Sequence, residues 1–148
     1  MKLFNIFYYL LTFTWGILTN ICGVIAAMFF VPLFGADFKV IHGRFVFIGG
    51  DNWGGLSLGN FIFVSKAAMR YGTNTLNHEI GHSLQNIFWG PLFLIVIGLP
   101  SALRYWYRET NYYKKNLKLH KPYDAIWFEG QATSWGNAYV KASESEEK

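Results

Sequence analysis

Apolar and polar positions along the chain fall into blocks of different length and period. From residue 3 to residue 34 there is no charged residue, in "LFNIFYYLLTFTWGILTNICGVIAAMFFVPLF". A bilayer core is crossed by about 20 mostly apolar helical residues, and this run is longer. It predicts a retained membrane helix. Asn5, Thr12, Thr14 and Asn20 are tolerable in it if they face another helix. Tyr8 and Tyr9 suit an interface, and Pro32 marks the exit. A cleaved signal peptide is the alternative, but its apolar core spans only about 7–15 residues. No clean small-x-small site precedes a polar start, and bulky Ile21 before Cys22 argues against a lipid anchor.

Residues 38–48 and 56–65 are rich in Val, Ile and Phe and bounded by glycine. They predict two strands, joined by "GGDNWGG" as an antiparallel hairpin or adjacent pair. Residues 73–86 have helical character, with Thr73, Asn74 or Thr75 as caps. The apolar stretch 87–100 is 14 residues long and contains Pro91 and Pro100. That length suits a buried, re-entrant or interfacial segment; a second span needs tilt and an extension to residue 103. Residues 104–121 carry six Lys or Arg against one Glu, interleaved with five aromatics. This is either a solvated helix and loop or a segment lying on an anionic membrane face. A last helix follows, and then the polar tail "ASESEEK", expected to be disordered. The expected organisation is α+β: an anchor over 1–34, a domain over 35–141 and a tail over 142–148.

Composition sharpens this picture. The chain is 52% hydrophobic and only 15% charged, against about 25% charged in ordinary globular domains, which favours a membrane protein. A single cysteine, Cys22, excludes an internal disulfide and a cysteine-based metal site. The net charge of +4 suits anionic lipid, and no nucleic-acid motif accompanies it. Only Lys2 precedes the anchor, while Lys39 and Arg44 follow it. The positive-inside rule therefore leans toward a cytoplasmic domain at a cell membrane. A homo-oligomer or a membrane-protein partner is compatible with so small a domain.

Candidate chemistry sits in "TLNHEIGHSLQN". On a helix, His78 and His82 lie one above the other and can share one ion. Glu79 lies on the adjacent side, where it can take a proton from water. This is the mechanical sense of H-E-x-x-H: two ligands and a general base on one rigid turn. An open site needs a third protein ligand. Glu129, between "AIWF" and "GQATSWG", reads as a buried carboxylate, which must be paired or bound to a metal. Small residues Ala132, Thr133 and Gly136 share its helical face and would let that helix press on the histidine helix. Asp124 and His120 are alternates, and a helix N-terminal charge is the plainer role for Glu129. His42, without a partner at metal spacing, reads as structural.

"HEIGH" followed by "EGQAT" resembles the glutamate-zincin metallopeptidases. More closely, "GGLSLGNFIFV", "NHEIGHSLQNIFWGPLFLIVIGLPS" and "YDAIWFEGQATSWG" resemble small bacterial membrane proteins that pair a HEYGH-type helix with a later Tyr/Phe-x-Glu-x-x-Ala element. The resemblance implies a minimal zincin-like domain on a bacterial inner-membrane anchor. It implies zinc on His78, His82 and Glu129, Glu79 as general base and a peptide or protein substrate. It also implies that strand 56–65 pairs with an extended substrate. Two positions depart from the pattern. Ile80 replaces an aromatic. Thr133 stands where many members place an Asp that orients a zinc-bound histidine, so Asp124 is an alternate source of that charge. Oxyanion donors are sought among Tyr112, Tyr113, His120 and Tyr123. A non-catalytic zinc-binding scaffold is the rival expectation. A site inside a spanning helix is disfavoured by Lys66 and Arg70 just upstream.

Overall fold

The computed structural model describes residues 2–51, 53–70, 72 and 74–146. The protein is α+β, with seven α-helices and one four-stranded sheet among the described residues. The charge-free N-terminal run forms two helices, not the single helix expected: α1 (Lys2–Phe13) and α2 (Ile17–Phe34). At the break the Thr14 hydroxyl donates back to the Leu10 carbonyl (2.6 Å) and the Gly16 N–H to the Leu11 carbonyl (2.9 Å). Gly16 also lies against the Asn86 side chain, closer than a Cβ would permit. The polar residues cause the bend. Asn20 donates to the Thr12 carbonyl and accepts from the Asn60 N–H at 2.8 Å, so both Thr12 and Asn20 are buried against the domain. Pro32 lies inside α2, and the helix ends two residues later, where Gly35 takes a left-handed conformation (φ 53°) and donates to the Val31 carbonyl. By length and composition α2 can cross a membrane, and its apolar side chains are largely exposed.

Each of the two expected strands is itself a hairpin. β1 (Asp37–Ile41) turns at His42–Gly43 into β2 (Arg44–Ile48), and β3 (Gly55–Leu58) turns at Gly59–Asn60 into β4 (Phe61–Val64). The order is β1-β2-β4-β3, with β2 and β4 parallel and Phe45 opposite Phe61. Alternation then gives the sheet two faces. Val46, Ile48, Ile62 and Val64 join the core with Tyr8, Leu76, Ile80 and Val140. Phe47 and Phe63 stack on the opposite face at 5.2 Å, and Phe30 of α2 meets Phe63 edge-on at 5.1 Å.

α3 (Lys66–Arg70) leads to α4 (Asn74–Trp89), which carries the two histidines. The cap candidate Thr73 lies outside the described residues. After α4 the chain passes a 3-10 turn (Gly90–Leu92), bends by 118° between Leu92 and Leu94, and runs through a π-turn (Leu94–Gly98) into α5 (Leu99–Glu109). Pro100 has no N–H to offer the Val96 carbonyl, and just upstream of it the Leu99 N–H reaches back five residues to Leu94. α6 (Asn111–Lys115) and two 3-10 turns lead into α7 (Trp127–Glu146). The helix runs through most of the segment whose polarity suggests disorder, because Ser143 is buried and its hydroxyl meets His42 Nδ1 at 2.9 Å. His42 is therefore a structural partner, placed at a turn and not within a strand.

α4 and α7 form the central pair. Gly81 faces the Ala132 backbone and Gly136 faces the Asn77 carbonyl, both closer than a Cβ permits. Beside them Arg44 is fully buried. Its guanidinium carbon lies 4.0 Å from the Tyr8 ring centroid and 4.4 Å from that of Tyr139. It donates to Ser83 Oγ (3.1 Å), the His42 carbonyl (2.7 Å) and the Tyr139 hydroxyl (2.8 Å), all neutral groups.

Candidate metal centre

One turn of α4 separates His78 from His82, and their rings meet edge-on with centroids 4.7 Å apart. The close crossing at Gly81 brings the first turn of α7 alongside. There Glu129 Oε2 lies 2.9 Å from His78 Nε2 and 3.2 Å from His82 Nε2. The three residues can hold a metal ion, with one ligand atom from each lying within 4.8 Å of the others. Among the described residues no further His, Cys, Asp or Glu joins them.

The hydrogen bonds behind the rings decide what the site can hold. Gln85 Nε2 donates to the Phe128 carbonyl (2.8 Å) and to Gln131 Oε1 (2.9 Å). A carbonyl can only accept, so Gln85 must present its Oε1 to His82 Nδ1, at 2.8 Å. That oxygen places the hydrogen on Nδ1 and leaves the Nε2 lone pair aimed at a carboxylate. On His78 the same position is taken by Thr133 Oγ1, at 2.9 Å from Nδ1. Where that hydroxyl accepts, as Gln85 Oε1 does, both Nε2 lone pairs converge on Glu129, which is fully buried and whose Oε1 has no hydrogen-bond partner. Acceptors packed this way need a positive charge among them, either a proton or a metal ion. The residues therefore fit a cation. Burial alone would raise the Glu129 pKa; where the positive charge is a proton on the imidazoles, their Nε2–H groups donate to the carboxylate, outweigh burial and hold it down to about 2. Its place in the first turn of α7 also favours the anion.

Glu79 is not one of the three grouped residues. Its carboxylate packs on Gly55 of the edge strand β3, where an added Cβ would lie 2.6 Å from Oε1. Burial, and then the nearby Glu129, push its pKa up to about 7 against the opposing pull of His78. A cleft runs past it on both sides. One part, about 310 Å³, is walled by Phe93, Ile97 and Tyr105; the other, about 500 Å³, by His78, Thr75 and Thr133. Glu79, Gly55 and Tyr123 line both parts. Tyr123 meets the His78 ring edge-on at 5.8 Å, and burial followed by Glu129 raises its phenol to about 12, so it stays a proton donor.

The other candidates lie elsewhere. Asp124 is exposed at the rim of the larger part and does not reach the histidines. His120 is exposed, stacks on Tyr113 at 4.7 Å and bonds its backbone carbonyl. Tyr113 is buried under Arg108, and Tyr112 is exposed; neither lines the cleft. Of strand 56–65 only the β3 part is an edge, since β4 is paired on both sides. Sequence reasoning missed Gln85, although a polar side chain three residues after a ligand histidine is a usable signal. It also missed Ser101, which lines the smaller part of the cleft beside Tyr123. No protein-family model matches the chain, and no curated protein or solved structure does either.

Proposed function

We propose that the chain is a membrane-anchored zinc metallopeptidase of the glutamate-zincin type, with α2 as its anchor. The observation that carries the reading is the convergence of His78, His82 and Glu129 beside a buried Glu79 in an accessible cleft. Two imidazoles, one carboxylate and an open position suit zinc, which in such a site acts as a Lewis acid toward water and a peptide carbonyl. Glu79 is the general base: burial keeps its basicity high near neutral pH, and it takes a proton from water and returns it to the leaving amine. Tyr123 donates its phenolic proton in a hydrogen bond to the carbonyl oxygen as negative charge develops there. Gln85 and Thr133 are positioning residues: Gln85 fixes the His82 tautomer and Thr133 orients the His78 ring. The Lys39 and Arg44 side of the anchor faces the cytoplasm.

The test is metal content and peptide hydrolysis of the detergent-solubilised full chain, for wild type, Glu129→Ala and Glu79→Gln. About one zinc per chain is expected in wild type and Glu79→Gln, with loss in Glu129→Ala and hydrolysis in wild type alone. Folded wild type without zinc affinity overturns the reading. A non-catalytic zinc-binding scaffold is the second reading, favoured by the neutral Thr133 behind His78. It requires that Glu79→Gln leave the biological role intact.

A further inference from the structure

The bent segment after α4 has two apolar faces. Phe93, Ile97, Ser101 and Tyr105, spaced by four, line the smaller part of the cleft. Leu92, Ile95, Leu99 and Leu103 point the other way and are 53%, 69%, 53% and 53% exposed. Trp106 belongs to both sets: it borders the cleft and is 62% exposed. An unpartnered stripe of this length on a monomer needs an occupant.

Three observations select lipid. First, the stripe is continuous with the largely exposed apolar surface of α2, because the Gly90–Leu92 turn packs against α2. Second, residues 88–103 contain no charge, whereas six Lys or Arg follow between 104 and 121. An apolar face followed directly by cations matches the layering of hydrocarbon and anionic headgroups. Third, the 118° bend between Asn74–Leu92 and Leu94–Glu109 turns the chain away from the buried α4, so the stripe can lie along a bilayer surface before the chain returns to the domain. Arg104 and Arg108 stabilise that return, donating to the Pro122, Tyr123 and Lys121 carbonyls.

The geometry points to a bilayer-seated wall: the outer face of residues 92–106 lies among lipid chains, so the cleft opens at membrane level. Its substrate is then a membrane-bound peptide segment carrying a large apolar residue for the pocket of Phe93, Ile97 and Tyr105. This substrate class rests on the peptidase reading; the lipid seat does not. The neutral, aromatic lining offers no counter-charge to a charged side chain, apart from Glu79 and His82 at the reacting end.

The experiment has two readouts on the full chain in vesicles of zwitterionic and anionic phospholipid. Fluorophores are placed singly by Ile95→Cys, Leu99→Cys and Lys118→Cys in a Cys22→Ser background. Lipids spin-labelled in the acyl chain should quench the first two several-fold more than the third. Equal, weak quenching overturns the lipid seat. In parallel, one apolar cleavage sequence is presented as a soluble peptide and as a lipid-anchored peptide. Wild type should strongly prefer the anchored form. Ile95→Lys/Leu99→Lys should lose that preference while keeping metal content and cleavage of the soluble form. Equal cleavage of both forms by wild type overturns the substrate class. Strong quenching at 95 and 99, with zinc bound and neither peptide cleaved, leaves the lipid seat standing and overturns the peptidase reading with its substrate class.

Discussion

A single methyl group at Gly81 should damage the metal site more than the fold. The Cβ of Gly81→Ala would lie 2.5 Å from the Ala132 carbonyl carbon and 2.7 Å from its Cα, where ordinary contact begins at 3.4 Å. The obstacle is backbone, which has no rotamer to change. The Ala132 carbonyl oxygen lies nearer still, so relief requires α7 to retreat by more than the 0.9 Å missing at the carbonyl carbon. Overpacking of this kind costs about 1–3 kcal/mol, and alanine in a helix interior returns up to about 1 kcal/mol over glycine. The net loss of stability is then about 0–2 kcal/mol. Glu129 lies one turn before Ala132 and moves with it, whereas metal sites tolerate only about 0.2 Å in ligand distance. Zinc affinity should fall at least about 100-fold, or about 2.7 kcal/mol. The assay is zinc titration against a chelating competitor, with a thermal melt of the metal-free protein beside it. Gly98→Ala is the control, because its Cβ would meet nothing closer than 3.7 Å. Zinc affinity of Gly81→Ala within about threefold of wild type refutes the reasoning, since roughly 0.7 kcal/mol is too little for a displaced ligand.

Gln85→Leu removes the acceptor that fixes the His82 tautomer and should lower zinc affinity about 10–100-fold, read by the same competition assay; unchanged affinity removes Gln85 from the site. Tyr123→Phe should lower kcat about 10²–10³-fold with zinc content unchanged, and an unaltered kcat excludes the phenol as oxyanion donor. In the metal-free protein Glu79 has its pKa raised from 4.5 to about 7, so its contribution to stability is present below 4.5 and lost as pH rises through 7. Melts across that window should show wild type losing stability with rising pH and Glu79→Gln staying flat. Glu129, held near 2, contributes in the opposite sense: its stabilisation is present above 4.5 and lost as pH falls toward 2.

Much of the site was readable because its requirements are local. His78 and His82 at i, i+4 need only a helix, and Glu129 stood out as a carboxylate among apolar and small neighbours. Thr133 and Gly136 followed from the same helical face. The turns were readable but misjudged: His42–Gly43 and Gly59–Asn60 are turn dipeptides inside what looked like continuous strands. The break at Thr14–Gly16 was masked by an apolar run whose bend depends on Asn20 reaching Thr12 and Asn60. The parallel pairing of β2 with β4 was not readable at all. It joins segments through tertiary packing on both faces, and no local pattern distinguishes it from an antiparallel neighbour.

The buried Arg44 ties together pieces far apart along the chain. Its two flanking rings belong to residues 8 and 139, and its hydrogen bonds add residue 83 between them. Without α7 the cation keeps the Tyr8 ring, Ser83 and the His42 carbonyl but lacks the ring and hydroxyl of Tyr139 that complete its enclosure. The same helix brings Glu129 to the histidines. Closure of the core and completion of the ligand set therefore depend on the same step, the docking of α7.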